Sequence, residues 1–140
     1  MKILELLTPK RLKGNKGEAI AARHIKKEGY KILAKNYVAL NHEIDIIAEN
    51  RDTVIFVEVK TRTVGKENPN EPRPASAVTP EKQRKIISAA KYYIGEARLK
   101  KRVRLDIVEV YITKEGKKHK VVHIENAFNS NTAYTRKAKI

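Results

Sequence analysis

Apolar positions in this chain follow two rhythms, one helical and one extended, and their alternation predicts the elements. Over residues 17–28, Glu18, Ala22 and Ile25 fall at i, i+4 and i+7, on one stripe of a helix. That helix is expected to follow a short basic lead, 1–13, and to stop at Gly29, a residue suited to the turn that ends helices. β-branched and aromatic runs then predict strands over 31–38, 43–48 and 54–62, with a turn at Asn50-Arg51-Asp52-Thr53 between the last two. A stretch containing Gly65, Pro69, Pro72 and Pro74 breaks the pattern and reads as a long loop. Thr79 is placed to cap a second helix that opens on Pro80 and buries Ile86, Ala90, Tyr93 and Ala97. Strands follow over 103–113 and 120–125, separated by a turn at Gly116, and a polar basic tail, 126–140, is expected to fray. The whole reads as one α/β domain over residues 1–140, with a mixed, mainly antiparallel sheet between helices.

Charges inside the strands change this picture. Asp45 interrupts the run Glu43-Ile44-Asp45-Ile46-Ile47, and Glu58 and Lys60 interrupt Val54-Ile55-Phe56-Val57-Glu58-Val59-Lys60. Charged groups in apolar strands are costly unless paired, solvated or bound to a metal. Side chains alternate along a strand, so Glu58 and Lys60 share a face and lie about 6.5 Å apart. A hairpin through the 50–53 turn would bring Asp45 close to Glu58. Carboxylates beside an ammonium suit a hard divalent ion that takes oxygen ligands, activates a water and stabilises charge on a phosphate. Lys60 would orient that water or neutralise the developing charge. The Glu58-Val59-Lys60 triplet by itself reads more readily as a solvated ion pair, and it is Asp45 and Glu18, bringing four charges together from three elements, that change the balance. Glu18 lies on the helical stripe facing the sheet and adds a further carboxylate, although a first-turn glutamate complementing the helix dipole is an equal alternative. Asp106 also interrupts an apolar run and reads as a structural hydrogen-bonding residue.

The runs Gly17-Glu18-Ala19, Glu43-Ile44-Asp45-Ile46-Ile47-Ala48, Phe56-Val57-Glu58-Val59-Lys60-Thr61-Arg62, Val78-Thr79 with Lys82-Gln83-Arg84, and Asp106-Ile107-Val108-Glu109-Val110 resemble the YraN family of uncharacterised prokaryotic proteins. The resemblance extends from about residue 14 to 128. That family is similar to archaeal Holliday junction resolvases within the PD-(D/E)XK nuclease-like superfamily. The resemblance implies a restriction-endonuclease-like core of order α-β-β-β-α-β. It also implies a nuclease site made of Glu18, Asp45, Glu58 and Lys60. The family usually has glycine before the Glu-Ile-Asp run, where this chain has His42. The turn there is expected to differ, or His42 to enter the site.

Composition narrows the partners. Lys plus Arg number 31 against 16 Asp plus Glu, a formal charge of +15, which favours a polyanion. Arg62, Lys66, Arg73, Lys82, Gln83 and Arg84 are the residues expected to meet nucleic acid. The absence of cysteine removes disulfides, thiolate catalysis and Cys-based zinc sites. His24, His42, His119 and His123 have no spacing for a helical zinc pair, and no glycine-rich phosphate loop is present. No apolar run is long enough to span a bilayer and no signal peptide is visible, so a cytoplasmic protein is expected.

The reading is a metal-dependent endonuclease acting on DNA, duplex or branched, with RNA not excluded. Asp45, Glu58 and Glu18 would hold Mg2+ or Mn2+, and similarity to junction resolvases suggests a homodimer. The alternative is a non-catalytic nucleic-acid-binding module that keeps the nuclease fold. Clustered carboxylates beside phosphates give such a binder nothing.

Overall fold

The computed structural model describes residues 9–64, 78–116 and 118–130. Helix α1 (Pro9–Lys27) is followed by strands β1 (Lys31–Ala39), β2 (His42–Glu49) and β3 (Thr53–Val64). Helix α2 (Pro80–Ala97) then leads to β4 (Arg102–Thr113) and β5 (His119–Ile124). This is the α-β-β-β-α-β order of a restriction-endonuclease-like core, with β5 added at its end. The sheet runs β1-β2-β3-β4-β5. It is mixed: β3 and β4 are parallel, and the other three pairings are antiparallel.

Each face of the sheet buries one helix. Ile20, Ala21, Ala22 and Ile25 of α1 pack with Ile46, Ile55, Val57, Val59, Val108 and Val110. Ile86, Ile87, Ala89 and Ala90 of α2 pack with Ile47, Val54, Phe56, Leu105 and Ile107 on the opposite face. The strict alternation of β3 between the two clusters is the pleat at work. Tyr93 flanks the second cluster and meets Phe56 edge-on, with ring centroids 5.8 Å apart. Ala97, assigned to the buried stripe from its spacing, is exposed because α2 runs past the end of the core.

Local chemistry explains the boundaries. Asn50 Oδ1 accepts from the Asp52 and Thr53 amides, 3.0 and 2.8 Å, and forms the expected β2–β3 turn. Thr79 Oγ1 accepts the Lys82 amide at 3.1 Å and Pro80 occupies the first helical turn. Gly29 has φ 101°, and the Tyr30 amide reaches back to the Ile25 carbonyl at 3.2 Å, a Schellman ending. The first helix differs from expectation at its start: it begins at Pro9, so part of the presumed lead, 9–13, is helical. Pro is pre-set for a first helical turn, and the helix runs on through Gly14 and Gly17. Gly17 is required where it stands, since a Cβ there would run into Thr61 Oγ1. That closeness seats Glu18 against the sheet. Glu18 is well inside α1, whose first turn holds no acidic residue, so the dipole alternative falls away.

The missing glycine before Glu43 is also explained. The β1–β2 turn places its two left-handed positions at Leu40 (φ 55°) and Asn41 (φ 65°), and His42 is already paired with Ala39. Leucine is poorly suited to that conformation and is 59% exposed here. Leu40→Asn is expected to stabilise the fold by about 0.5–1 kcal/mol, by analogy with substitutions that suit a turn conformation. Urea denaturation checks this; a lower midpoint would show that Leu40 has a role beyond the turn.

Candidate functional site

The site forms where β2 and β3 part. Their ladder pairs Ile46 with Val57, Ile47 with Phe56, Ala48 with Ile55 and Glu49 with Val54, and Asp45 and Glu58 come next. Ile46 packs with the α1 cluster, yet Ile44, two residues earlier, packs with the α2 cluster. A regular pleat would put both on one face, so the alternation of β2 breaks at Asp45. Opposite Asp45 in β1, between the pairs Lys35–Ile46 and Tyr37–Ile44, stands Asn36 with φ 52°. The two irregularities face one another. With the pleat broken, the Asp45 carboxylate reaches β3 and accepts the Val59 amide through Oδ2 at 2.7 Å.

Glu58 and Lys60 lie on the α2 face of β3. The Glu58 side chain is only 8% exposed, with Lys60 Nζ 3.6 Å and Lys82 Nζ 3.9 Å from its Oε2. Burial pushes the Glu58 carboxyl up, against the pull of Lys82 and Lys60. Asp45 is displaced further. Burial, then the neighbouring Glu58, with Glu18 and Glu43 adding to it, push it up to about 8, and only the Val59 amide opposes them. Two neighbouring carboxylates both pushed above their ordinary values mark an electrostatic conflict, a common property of functional sites.

The structure brings together Asp45, Glu58 and Lys60, as expected, and adds Lys82 from the first turn of α2. Glu18 is half-buried and near enough to act on Asp45. Its Oε1 and Glu43 Oε2 accept the two N–H groups of the Asn36 amide at 3.0 and 2.9 Å, with the amide nitrogen assigned to the side where both neighbours are acceptors. Gln83 is buried, and its Nε2 donates to the Val78 carbonyl at 3.0 Å. Gln83 Oε1 and Arg84 Nη1 are both buried with no hydrogen-bond partner, which is uncommon in native proteins. Arg62 is exposed two residues beyond Lys60. Lys66 and Arg73 lie outside the described residues.

Sequence reasoning missed Glu43 and Asn36. Alternation alone could have flagged Glu43, two residues from Asp45. An asparagine interrupting the first strand was the available signal for a left-handed residue.

The donor set suits a hard cation: all the candidate ligands are oxygens, and the repulsion between Asp45 and Glu58 is what a dication would relieve. Among the described residues, however, no three Asp, Glu or His side chains are grouped as they stand to hold a metal ion. Asp45 and Glu58 are the pair available. Waters would have to complete the shell, as is usual for magnesium.

A second buried polar cluster lies on the α1 side and is structural, as the sequence suggested for Asp106. Asp106 is fully buried and accepts from Arg104 Nε and Nη2, from the Asn126 amide and from His123 Nε2 at 2.7 Å. His123 Nδ1 meets Glu28 Oε1 at 2.6 Å. Both ring nitrogens face carboxylates, an arrangement that favours the doubly protonated ring over one with a lone pair free to act as a base.

Fold and site together define an α/β protein with a buried acid–lysine centre at the parting of two strands. The model of the uncharacterised protein family UPF0102 matches residues 17–110, and the chain belongs to that family. It is 45% identical over 121 residues to a UPF0102 protein of Caldanaerobacter subterraneus, covering 85% of this chain and 96% of that one. A UPF0102 protein of Geobacter metallireducens is 41% identical over 116 residues, covering 82% and 90%. Among solved structures, Pyrococcus furiosus SfsA in complex with Ca2+ matches with a TM-score of 0.33 and 14% identity, over 83% of this chain and 63% of that one. No helix among the described residues is long and apolar enough to cross a membrane.

Proposed function

We propose that this protein is a metal-dependent endonuclease that hydrolyses phosphodiesters in DNA, with branched or junction DNA as the favoured substrate class. The observation that carries the reading is the closeness of buried Glu58 to Asp45 at the β2–β3 parting, near enough to raise the Asp45 carboxyl, with Lys60 3.6 Å from Glu58. The resemblance to the PD-(D/E)XK superfamily and its junction resolvases supports the same assignment. Asp45 and Glu58 would hold Mg2+ or Mn2+, with Glu18 contributing from outside the direct ligands. Such an ion, when bound, supplies a water of lowered pKa and positive charge beside the phosphate.

The chain's own residues do the rest. The Asp45–Val59 hydrogen bond fixes one carboxylate in the plane of the sheet. Lys60 is 27% exposed at its side chain, enough to meet a phosphate oxygen from the Glu58 side. Lys82, at the start of α2, adds a second ammonium there, and exposed Arg62 lies two residues beyond Lys60. The +15 charge supplies long-range attraction for a polyanion.

A non-catalytic nucleic-acid-binding module is the second reading. It is favoured by one observation: among the described residues no three metal-ligating side chains are grouped. Cleavage of nicked, branched, duplex and single-stranded substrates in magnesium, manganese or chelator decides between the two. The nuclease reading expects metal-dependent cutting that Lys60→Ala abolishes, while DNA binding, weakening steeply with salt, is largely kept. Binding without cutting in any metal would establish the module. Binding indifferent to salt, or none at low salt, would remove nucleic acid as the partner.

A further inference from the structure

The residue that the acidic site leans on is not one of its acids. Asn36 occupies the middle of edge strand β1, directly across from Asp45, in a left-handed conformation that few side chains tolerate. A strained backbone position in a strand is maintained only when something nearby requires it. Here the requirement is visible. The turned backbone aims the amide at two carboxylates from different elements, Glu18 of α1 and Glu43 of β2, at 3.0 and 2.9 Å. A side-chain amide has two N–H donors on one nitrogen, so a single group can bind both acids without adding charge.

We propose that Asn36 is the positioning residue of this site: its amide clamps Glu18 to Glu43 and so fixes two of the three carboxylates that surround Asp45. The inference rests on the nuclease reading for its consequence, but the clamp itself does not. Its consequence is that Glu18 and Glu43 are held in place outside the direct ligands, where they support a cation taken by Asp45 and Glu58. Two alternatives of different origin exist for a left-handed asparagine, a backbone role and an amide role, and they separate cleanly by substitution. Glycine keeps the conformation and loses the amide. Alanine loses both.

The experiment is manganese titration by calorimetry with the full chain, alongside urea denaturation. The clamp expects one ion per chain in the unmodified protein. It expects Asn36→Gly to bind manganese about 10–100-fold more weakly, as for other groups that orient ligands, with little change in the denaturation midpoint. Asn36→Ala should weaken binding as much and lower the midpoint as well. Unchanged manganese affinity in Asn36→Gly, with a loss confined to Asn36→Ala, would reduce Asn36 to a backbone role and overturn the proposal. If the unmodified protein binds no manganese, the metal reading fails by itself. The clamp is then judged by a denaturation double-mutant cycle between Asn36→Gly and Glu43→Ala, where coupling is expected and additivity overturns it.

Discussion

Asp45→Asn is expected to stop cleavage and, in the same molecule, to raise stability. Asparagine keeps an oxygen to accept the Val59 amide but removes a charge from a place where burial, Glu58, Glu18 and Glu43 all oppose it. The pH dependence gives the sign. Asp45 holds its proton up to about 8 in the fold, well above the ordinary value of roughly 3.9 in an unfolded chain. Its favourable contribution is therefore complete below the unfolded value and is lost as pH rises through the folded one. Asparagine cannot titrate and escapes that loss. With divalent ions chelated, urea denaturation should show the variant nearly equal to the unmodified protein at about pH 4. Its advantage should grow steadily with pH, to on the order of 5 kcal/mol at pH 8. Cleavage in magnesium should fall by at least about 100-fold, the scale of losing a group that stabilises transition-state charge. A variant that is less stable at pH 8, or a difference that does not grow with pH, would mean that Asp45 is a settled structural residue.

The part of this site that was legible in the sequence is the part that depends on a regular pleat. Spacing across the 50–53 turn placed Asp45 beside Glu58, and alternation placed Glu58 with Lys60. Both helices followed from period and end signals such as Thr79, Pro80 and Gly29, and their sheet-facing stripes did so too except at Ala97. What the sequence concealed is where regularity fails. The change of face between Ile44 and Ile46 contradicts the alternation on which a strand is recognised, and Asn36 opposite it looks like any polar residue on an edge strand. The apolar stripe that marks the first helix opens only at Glu18, whereas α1 already begins at Pro9. Gly17 is kept inside it because a Cβ there would run into Thr61. Lys82 was expected to face nucleic acid, and its approach to Glu58 depends on how α2 rests on the sheet.

The contacts of His123 were hidden for a different reason: its partners come from elements distant in sequence. Glu28 follows α1, Asp106 is in β4, and His123 itself is in β5. Asp106→Ala is expected to be the most damaging single change outside the apolar core. It would leave Arg104 and His123 without the carboxylate they share, and the Asn126 amide without its acceptor. Removing one partner of a buried ion pair costs about 3–5 kcal/mol, which corresponds to roughly 10–17 °C in Tm for a domain of this size. The pH profile distinguishes this network from simple packing. Burial alone would raise Asp106, but hydrogen bonds from His123, Arg104 and the Asn126 amide win and hold it low. That contribution is present above the ordinary aspartate value and is lost as pH falls through the lowered one. Burial alone would lower His123, but its hydrogen bonds to Asp106 and Glu28 win and raise it. The stability from that group is complete below the ordinary histidine value and disappears as pH climbs through the raised one. The unmodified protein should therefore lose this contribution at both ends, acid and alkaline. His123→Gln should shrink the alkaline loss, to which Asp45 adds its own share, and retain the acid one, since Arg104 still holds Asp106. Thermal denaturation across pH measures this directly, and an alkaline limb unchanged in His123→Gln would show that the imidazole is neutral in the fold.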